Sequence, residues 1–597
     1  MGLGKARTNT RDDTSVVAGL VRWRAAFVTI FLCLLGVKLV LAAKLQPFGD
    51  EAFYWQESRH PAWGYSDLPP LTAWLIRLGE SVAGHGVLGM RWPFLLLGSC
   101  LPWLLVAFGR RAFDVRAGWQ AGVLCLCLPL AGSLGVLAMP DVPLTVAGAA
   151  AMLALLRAMD NNRWCDWLLL GVALAICWMS HYRAAMFMLA GLFLFLLTPR
   201  GRAQWTRGGF WLAMVVAATG LVPLAISNWQ QHGDGLAFQL MQRNPWRFHA
   251  DTLVQPLEQA VTCTPLLYVC LLWTVWRCGC RRHEGRPWDV IALLSLTFIV
   301  VYFVAGLFAD DQRFRVHWPL PGYLPLLAAL PVLWRDVRVW RWVAMAGAGL
   351  ALFAQLVGLS YLGLAAHPAT ASWLGAARAF PTAFIGWEES ADIAKAQLVV
   401  QPAVLVADNF MMAAELDFQF DGQRPVYTLD SPLNVKYGRA PQVALWALDE
   451  SALRQRHAGE PVLLVVDEHA LRERERAPWF GSLCTRIAHL QPLRRLSLFD
   501  GRKSVAFYRG DAVIARDPGG CARAWRYPAH FGLGPALGAG GAAVRGFAPC
   551  PGSQHPTRPG SQRETGRGSR SVAEAVPAGQ RPRRDWLLAR WPPAGLG

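Results

Sequence analysis

Charge is scarce in this chain. Asp, Glu, Lys and Arg make up 16% of its 597 residues, against roughly 25% in an ordinary soluble domain. With 54% apolar residues, that shortage excludes a soluble globular class, and a length-based domain count does not apply. Acid is the rarer sign, with 40 Asp and Glu against 58 Lys and Arg, a formal net charge of +18. The basic excess does not point to nucleic acid, because the arginines fall between apolar runs and in the C-terminal tail and form no aromatic-basic stripe. A cleavable signal peptide is not expected. The first apolar run starts near Arg24, is long enough to span a bilayer and has no small-residue cleavage site after it. The opening MGLGKA carries Ala6 where a myristoylation signal needs Ser or Thr. Cysteines such as Cys125, Cys127 and Cys177 lie inside apolar runs and read as small core residues. The Cys278-Gly279-Cys280 group with His283 lacks the spacing of a zinc ligand pair.

What the chain has instead is long apolar runs. They fall at about 24–45, 92–109, 118–138, 142–159, 164–181, 183–199, 208–228, 260–278, 289–309, 319–334 and 342–365, each of spanning or near-spanning length. The pattern predicts a mostly α fold, a polytopic transmembrane bundle of about 11 spans. Alternate gaps collect arginine: Arg110, Arg111 and Arg116; Arg157 and Arg163; Arg200, Arg202 and Arg207; Arg277, Arg281, Arg282 and Arg286; Arg335, Arg338 and Arg341. Basic residues mark the cytoplasmic side, and the N-terminal segment 1–23 falls there too. Residues 24–365 are then the membrane domain, and everything after Ala366 lies on the outer, periplasmic side. The 28 tryptophans suit membrane interfaces.

From 366 to 516 the chain reads as a small C-terminal α/β periplasmic domain. PAVLVAD and PVLLVVDEH are short buried-strand patterns, NFMMAAELDFQF is amphipathic at helical spacing, and LRRLSLFDGRKSVAFYR reads as a hairpin turning at Asp500-Gly501. The Gly-, Pro-, Arg- and Ala-rich segment 517–597 shows no periodic apolar pattern and is expected to be disordered.

The orientation gathers ionisable groups on one rim. FGDEAFYWQESRHPAWGYSDLPPLTAW (48–74) follows directly on the first span and carries Asp50, Glu51 and Asp67. Asp141, His181 to Arg183, and the stretch with Arg313, Arg315, His317 and Trp318 lie at the mouths of other spans. Charges beside membrane helices are costly and often functional. A shielded carboxylate can act as a general base on a hydroxyl, and several together can bind a divalent cation. Arginines can hold phosphate through paired donors, and aromatic faces can stack on sugars or lie along an acyl chain. A plainer reading stands beside each. Acids just outside a span are common, Tyr54 and Trp55 suit an interfacial anchor, and Asp141 suits a helix N-terminus. The histidines suit structural hydrogen bonding.

Taken in order, GDEAFYW (49–55), GYSDLPPLTAWLIRL (64–78), MPDVPL (139–144), SNWQQHG (227–233), HWPLPGY (317–323), IGWEE (385–389) and ADNFMMAAELDFQF (407–420) resemble the polytopic GT-C glycosyltransferases. The likeness is to bacterial family 39-like members, related to protein mannosyltransferases and lipid A aminoarabinose transferases, and it covers about 24 to 510. One departure is SHYR at 180–183, where the family has a Lys-Tyr pair after Ser; His181 stands at the basic position, with Arg183 nearby.

The resemblance implies an inverting transfer of sugar from a polyprenyl-phosphate-linked donor to a lipid, glycan or protein acceptor, in a bacterial inner membrane with a periplasmic active site. Asp50 is the implied catalytic base. Glu51, Asp67 and Asp141 would position the acceptor or a divalent cation, and no cofactor is required by the pattern. From side and charge alone, Arg59, Arg183, Arg313 and Arg315 are candidates for the donor phosphate. Tyr54, Trp55, His181, His317 and Trp318 would line the cavity. A transporter or lipid-sugar flippase is the alternative, but such proteins usually show pseudo-symmetric halves and interrupted helices, and no repeat is found.

Overall fold

The computed structural model describes residues 6–230, 248, 250–285, 287–308, 316–367, 370, 381–471, 473–499 and 501–513, all within one compact unit, Met1–Gly552. The tail expected to be disordered, 517–597, lies outside the described residues, as do Arg313 and Arg315.

Each of the eleven apolar runs is helical in whole or in large part. Six helices are long and apolar enough to cross a membrane, and up to eight if each of two sharply bent pairs counts as one span. The full-length ones include α1 (Ala6–Lys44), α4 (Val87–Ala112) and α7 (Asp141–Asn161). The runs at 183–199 and 260–278 lie in the bent pairs, with angles of 99° and 114°. Proline accounts for two shorter elements. Helix α5 (Val115–Cys127) stops before Pro129, which opens the one-turn helix α6 (Pro129–Gly132). The 17-residue helix Leu320–Asp336 contains Pro325 and Pro331, each of which removes a helix hydrogen bond. Helix α8 (Trp164–Ser180) also has 17 residues, and α9 (Ala184–Leu197) follows after the tight turn at His181 to Arg183. Helix α7 is central, with 83% of its apolar window buried, whereas α1 buries 28% and leaves the rest apolar and outward-facing. That is how a helix meets lipid.

Between α1 and α4 the chain makes two short helices. Helix α2 (Gly49–Arg59) starts after Pro47, with Asp50 and Glu51 in its first turn and Arg59 in its last, the arrangement that suits the helix dipole. Helix α3 (Leu71–Ala83) follows Pro69-Pro70, with one face buried and Leu78 and Val82 exposed on the other.

The second core is the expected α/β region. A five-stranded sheet runs in the order β2-β1-β3-β6-β5, with β1 (Val404–Ala407) parallel to β2 (Tyr427–Thr428) and β3 (Val462–Asp467). The predicted hairpin is β5 (Gln491–Leu498) against β6 (Lys503–Gly510), antiparallel, with Gly501 at φ 82 in the turn. A short antiparallel pair of strands, β4 (Ile487–Ala488) and β7 (Ala512–Val513), forms a separate two-stranded sheet. The amphipathic stretch after β1 is the helix Phe410–Gln419, capped by the Asn409 side chain on the N–H groups of Met411 and Met412.

That helix joins the two cores. It lies across α2, with Phe410 edge-on to Phe53 at 5.4 Å and Phe418 edge-on to Trp55 at 5.2 Å. The approach needs Gly49, because a Cβ there would sit 2.6 Å from Cγ of Met411.

Candidate active site

Helix α2 carries acids at two successive positions and again at Glu57. One residue turns an α-helix by about 100°, so residues four and seven apart share a face. Asp50, Tyr54 and Glu57 therefore form one row, and Glu51 points elsewhere.

The Asp50 row meets Arg439, which comes from the second core. Gly438, at φ 71, ends the preceding short helix in the left-handed conformation that glycine adopts freely. Ser66 stitches this turn to the loop after α2, donating its hydroxyl to the Gly438 carbonyl at 2.6 Å and its N–H to Oε1 of Gln442 at 2.9 Å. Arg439 then reaches Asp67 Oδ2 at 2.8 Å, Glu57 Oε1 at 3.4 Å and Asp50 Oδ1 at 3.5 Å. Its guanidinium lies over the Phe53 ring, 4.2 Å from the centroid, with Tyr54 at 5.0 Å. Burial pushes the Glu57 and Asp67 carboxyls upward, against the pull of Arg439. Asp50 is the open member. Its side chain is 23% exposed, against 1% for Glu57 and 8% for Asp67.

The Glu51 side is closed. Its carboxylate takes two hydrogen bonds from Arg91, at 2.8 and 2.6 Å, and one from the N–H of Ala138 at 2.7 Å. Both charged side chains are fully buried. Arg91 also caps the end of α1, donating to the carbonyls of Leu45 at 2.6 Å and Gln46 at 3.2 Å. The expectation that Glu51 positions an acceptor or cation is thus corrected, because its oxygens are already taken up in holding α1, α4 and the irregular segment before α7. Trp55 is corrected as a cavity-lining residue for the same kind of reason. It is fully buried, and its indole N–H is donated to Glu80 Oε1 at 2.7 Å. Arg59 stands over the Trp55 ring at 5.6 Å and beside Gly422, in a set of contacts with the second core.

A second cluster forms where α7, the α8–α9 turn and the segment before Leu320 converge. Asp141, in the first turn of α7, is bonded to Arg183 and lies 3.3 Å from Nε2 of His317. The Arg183 guanidinium sits over Trp318, 5.4 Å from its centroid. Nε of Arg183 has no hydrogen-bond partner among the described residues. His181 is buried and accepts the Arg183 N–H on Nδ1 at 3.0 Å, which shapes the turn. Tyr182 links the clusters. Burial pushes its phenol up to about 12, its hydroxyl is bonded to Asn228, and it feels the charge of Asp67.

The structure therefore brings Asp50, Tyr54 and Asp67 together, and separately Asp141, Arg183, His317 and Trp318. Glu57, Arg91 and Arg439 were missed. Glu57 was legible as the third member of the Asp50 row, and Arg91 as a lone charge in an apolar run. Arg439 carried no local signal. A divalent cation does not fit these residues. Glu51, Asp67 and Asp141 are each paired with a different arginine, and no group of three or more His, Cys, Asp or Glu side chains among the described residues is arranged to hold one.

Comparison with known proteins agrees with this architecture. Residues 67–226 match the dolichyl-phosphate-mannose-protein mannosyltransferase family. The lipid A galacturonosyltransferase RgtD of Rhizobium johnstonii is 23% identical over 285 residues, 46% of this chain and 58% of that protein. The match thus spans less than two thirds of that relative's length. Among solved structures, ArnT from Cupriavidus metallidurans bound to undecaprenyl phosphate superposes with a TM-score of 0.58 at 14% identity, covering 81% of this chain and 98% of ArnT. Its apo state gives 0.56 at 16% identity, covering 82% and 98%. The resemblance to GT-C glycosyltransferases is borne out: the chain has their fold and is a multi-pass membrane protein.

Proposed function

We propose that the protein is an inverting glycosyltransferase that moves a sugar from a polyprenyl-phosphate donor to a hydroxyl of an envelope lipid, glycan or protein. The observation that carries this reading is the pairing of one accessible carboxylate, Asp50, with a separate basic and aromatic cluster at Arg183, His317 and Trp318. In the reaction the acceptor oxygen bonds to the anomeric carbon as the bond from that carbon to the phosphate oxygen breaks. The polyprenyl phosphate leaves with the electron pair, and Asp50 receives the acceptor proton. Asp141 holds the Arg183 guanidinium in place, and the partly exposed guanidinium offers its positive charge to the phosphate. Trp318 offers a face to the sugar or to the first isoprene unit. The fold shared with ArnT in its undecaprenyl phosphate complex supports a lipid donor, and the likeness to a lipid A transferase favours a lipid acceptor.

The test is Asp50→Asn, which keeps size and removes the base. Initial transfer rate per inserted molecule, at saturating lipid-linked sugar, should fall by about 10² to 10⁴, with insertion unchanged. Near-normal turnover would reduce GDEAFYW to an anchor. The orientation is proposed from the arginine asymmetry. A phosphatase reporter fused after Ala366 should be active and one after Arg116 inactive, and the reverse would move the site to the cytoplasm.

A further inference from the structure

The acid cluster around Asp50 raises a question the transfer chemistry leaves open. Three carboxylates, from Asp50, Glu57 and Asp67, face one point, though they are not themselves arranged to hold a metal ion. At that point stands the guanidinium of Arg439, within 2.8 to 3.5 Å of all three. It is 3% exposed and packed against the Phe53, Tyr54 and Phe410 rings. So enclosed, it has no route to a substrate phosphate. Its place is fixed from the second core by the Gly438 turn and the two Ser66 hydrogen bonds.

We propose that Arg439 is the resident cation of this site: a positioning residue, supplied by the C-terminal region, that stands among the three acids as their counter-charge and holds Asp67 and Glu57 so that Asp50 stays open. The proposal rests on the reading of Asp50 as the base, but its central test does not. A guanidinium delivers its charge only when the second core is docked on α2, so the site is incomplete without that core. Removing it leaves three converging carboxylates with no counter-charge. Such a group either binds a proton or recruits a metal.

The experiment compares Mn²⁺ binding, by electron paramagnetic resonance, to the purified full-length protein, to Arg439→Ala and to Arg439→Ala/Asp67→Asn, in detergent without substrate. The expected result is no site in the wild type, one site per chain in Arg439→Ala, and at least a tenfold weakening when Asp67 is also changed. Transfer by Arg439→Ala should fall at least tenfold in chelator and recover in part with Mn²⁺ or Mg²⁺, while wild-type transfer is unchanged by chelator. A merely structural role would not create metal dependence. A folded Arg439→Ala that takes up no Mn²⁺ overturns the proposal. So does a wild-type protein that loses turnover in chelator and regains it with metal, a measurement that stands even if the alanine variant fails to fold. If Mn²⁺ binding appears as expected but the wild type transfers no sugar, the function reading fails and the resident cation stands.

Discussion

The two sides of helix α2 differ as much as two regions of one protein can. Asp50 and Glu51 are neighbours in sequence, both acids, both in the first turn of the same helix. Asp50 faces the junction with the second core, keeps 23% of its side chain exposed and shares a distant guanidinium with two other carboxylates. Glu51 faces the bundle and is bonded by Arg91 and a backbone N–H. The first is free to meet a substrate. The second is fully buried and already accepts three hydrogen bonds, and its work is to tie α1, α4 and the chain before α7 into one piece. An acidic doublet at a membrane boundary thus divides into one reactive group and one tie, because a helix turns successive residues to different surroundings.

The sharpest way to break that comparison is to neutralise the closed side. Glu51→Gln leaves the Arg91 guanidinium charged, buried and short of its partner. Losing one member of such a pair costs about 3–5 kcal/mol, a large share of a typical total stability of about 5–15 kcal/mol. Membrane abundance and thermal stability in detergent should therefore drop sharply, while Asp50→Asn stays abundant and folded. Replacing the pair outright, with Glu51→Leu and Arg91→Met together, should restore much of the loss, since an apolar pair of similar size replaces a buried ion pair at little cost. An unchanged melting temperature for Glu51→Gln would return Glu51 to the rim and erase the distinction.

A smaller effect tests the basic cluster against the acid one. Arg183→Lys keeps the charge but loses the planar fork that can bond Asp141 and a phosphate together. A hydrogen bond to a charged group contributes about 1.5–3 kcal/mol, so kcat/KM for the lipid-linked sugar should fall roughly tenfold to a hundredfold with little change in stability. If kcat/KM is unaffected while Asp50→Asn is inactive, the phosphate is held elsewhere, and the stretch carrying Arg313 and Arg315 becomes the next place to look.

These contrasts also show what a sequence can reveal. The bundle was legible because apolar runs of spanning length have few other uses, and the strands because buried β-branched runs end in turn residues. The lengths of the individual helices were not, since proline breaks such as Pro129 shorten helices without altering the apolar run. Asp50 and Asp141 stood out by position. Which acid was open and which was tied depended on Arg91, 40 residues from Glu51, and on Arg439, 389 residues from Asp50. Pairings of that range are set by packing and leave no periodicity behind. Glu57 is different, because its spacing from Asp50 already put both on one face.

The smallest expected effect concerns a third contact of α2, next to the same junction. Gln56 donates from Nε2 to Oδ2 of Asp417 at 2.9 Å, and burial pushes the Asp417 carboxyl up to about 6 from its ordinary 3.8, against the pull of that bond and of Arg59. A carboxyl with a raised value is held more tightly in its protonated form by the docked state than by the undocked one. The docked state therefore binds more protons between pH 3.8 and about 6, and its stability declines as pH rises through that window and levels off above it. Asn at this position still accepts the Gln56 bond and has no proton to lose. Asp417→Asn should match the wild type near pH 4 and melt a few degrees higher near pH 7, with backbone exchange around Gln56 slowed to the same extent. A difference that does not vary with pH would mean that this carboxyl keeps its solvent contact, and that the junction beside Asp50 is looser than the packing of Trp55 and Phe418 indicates.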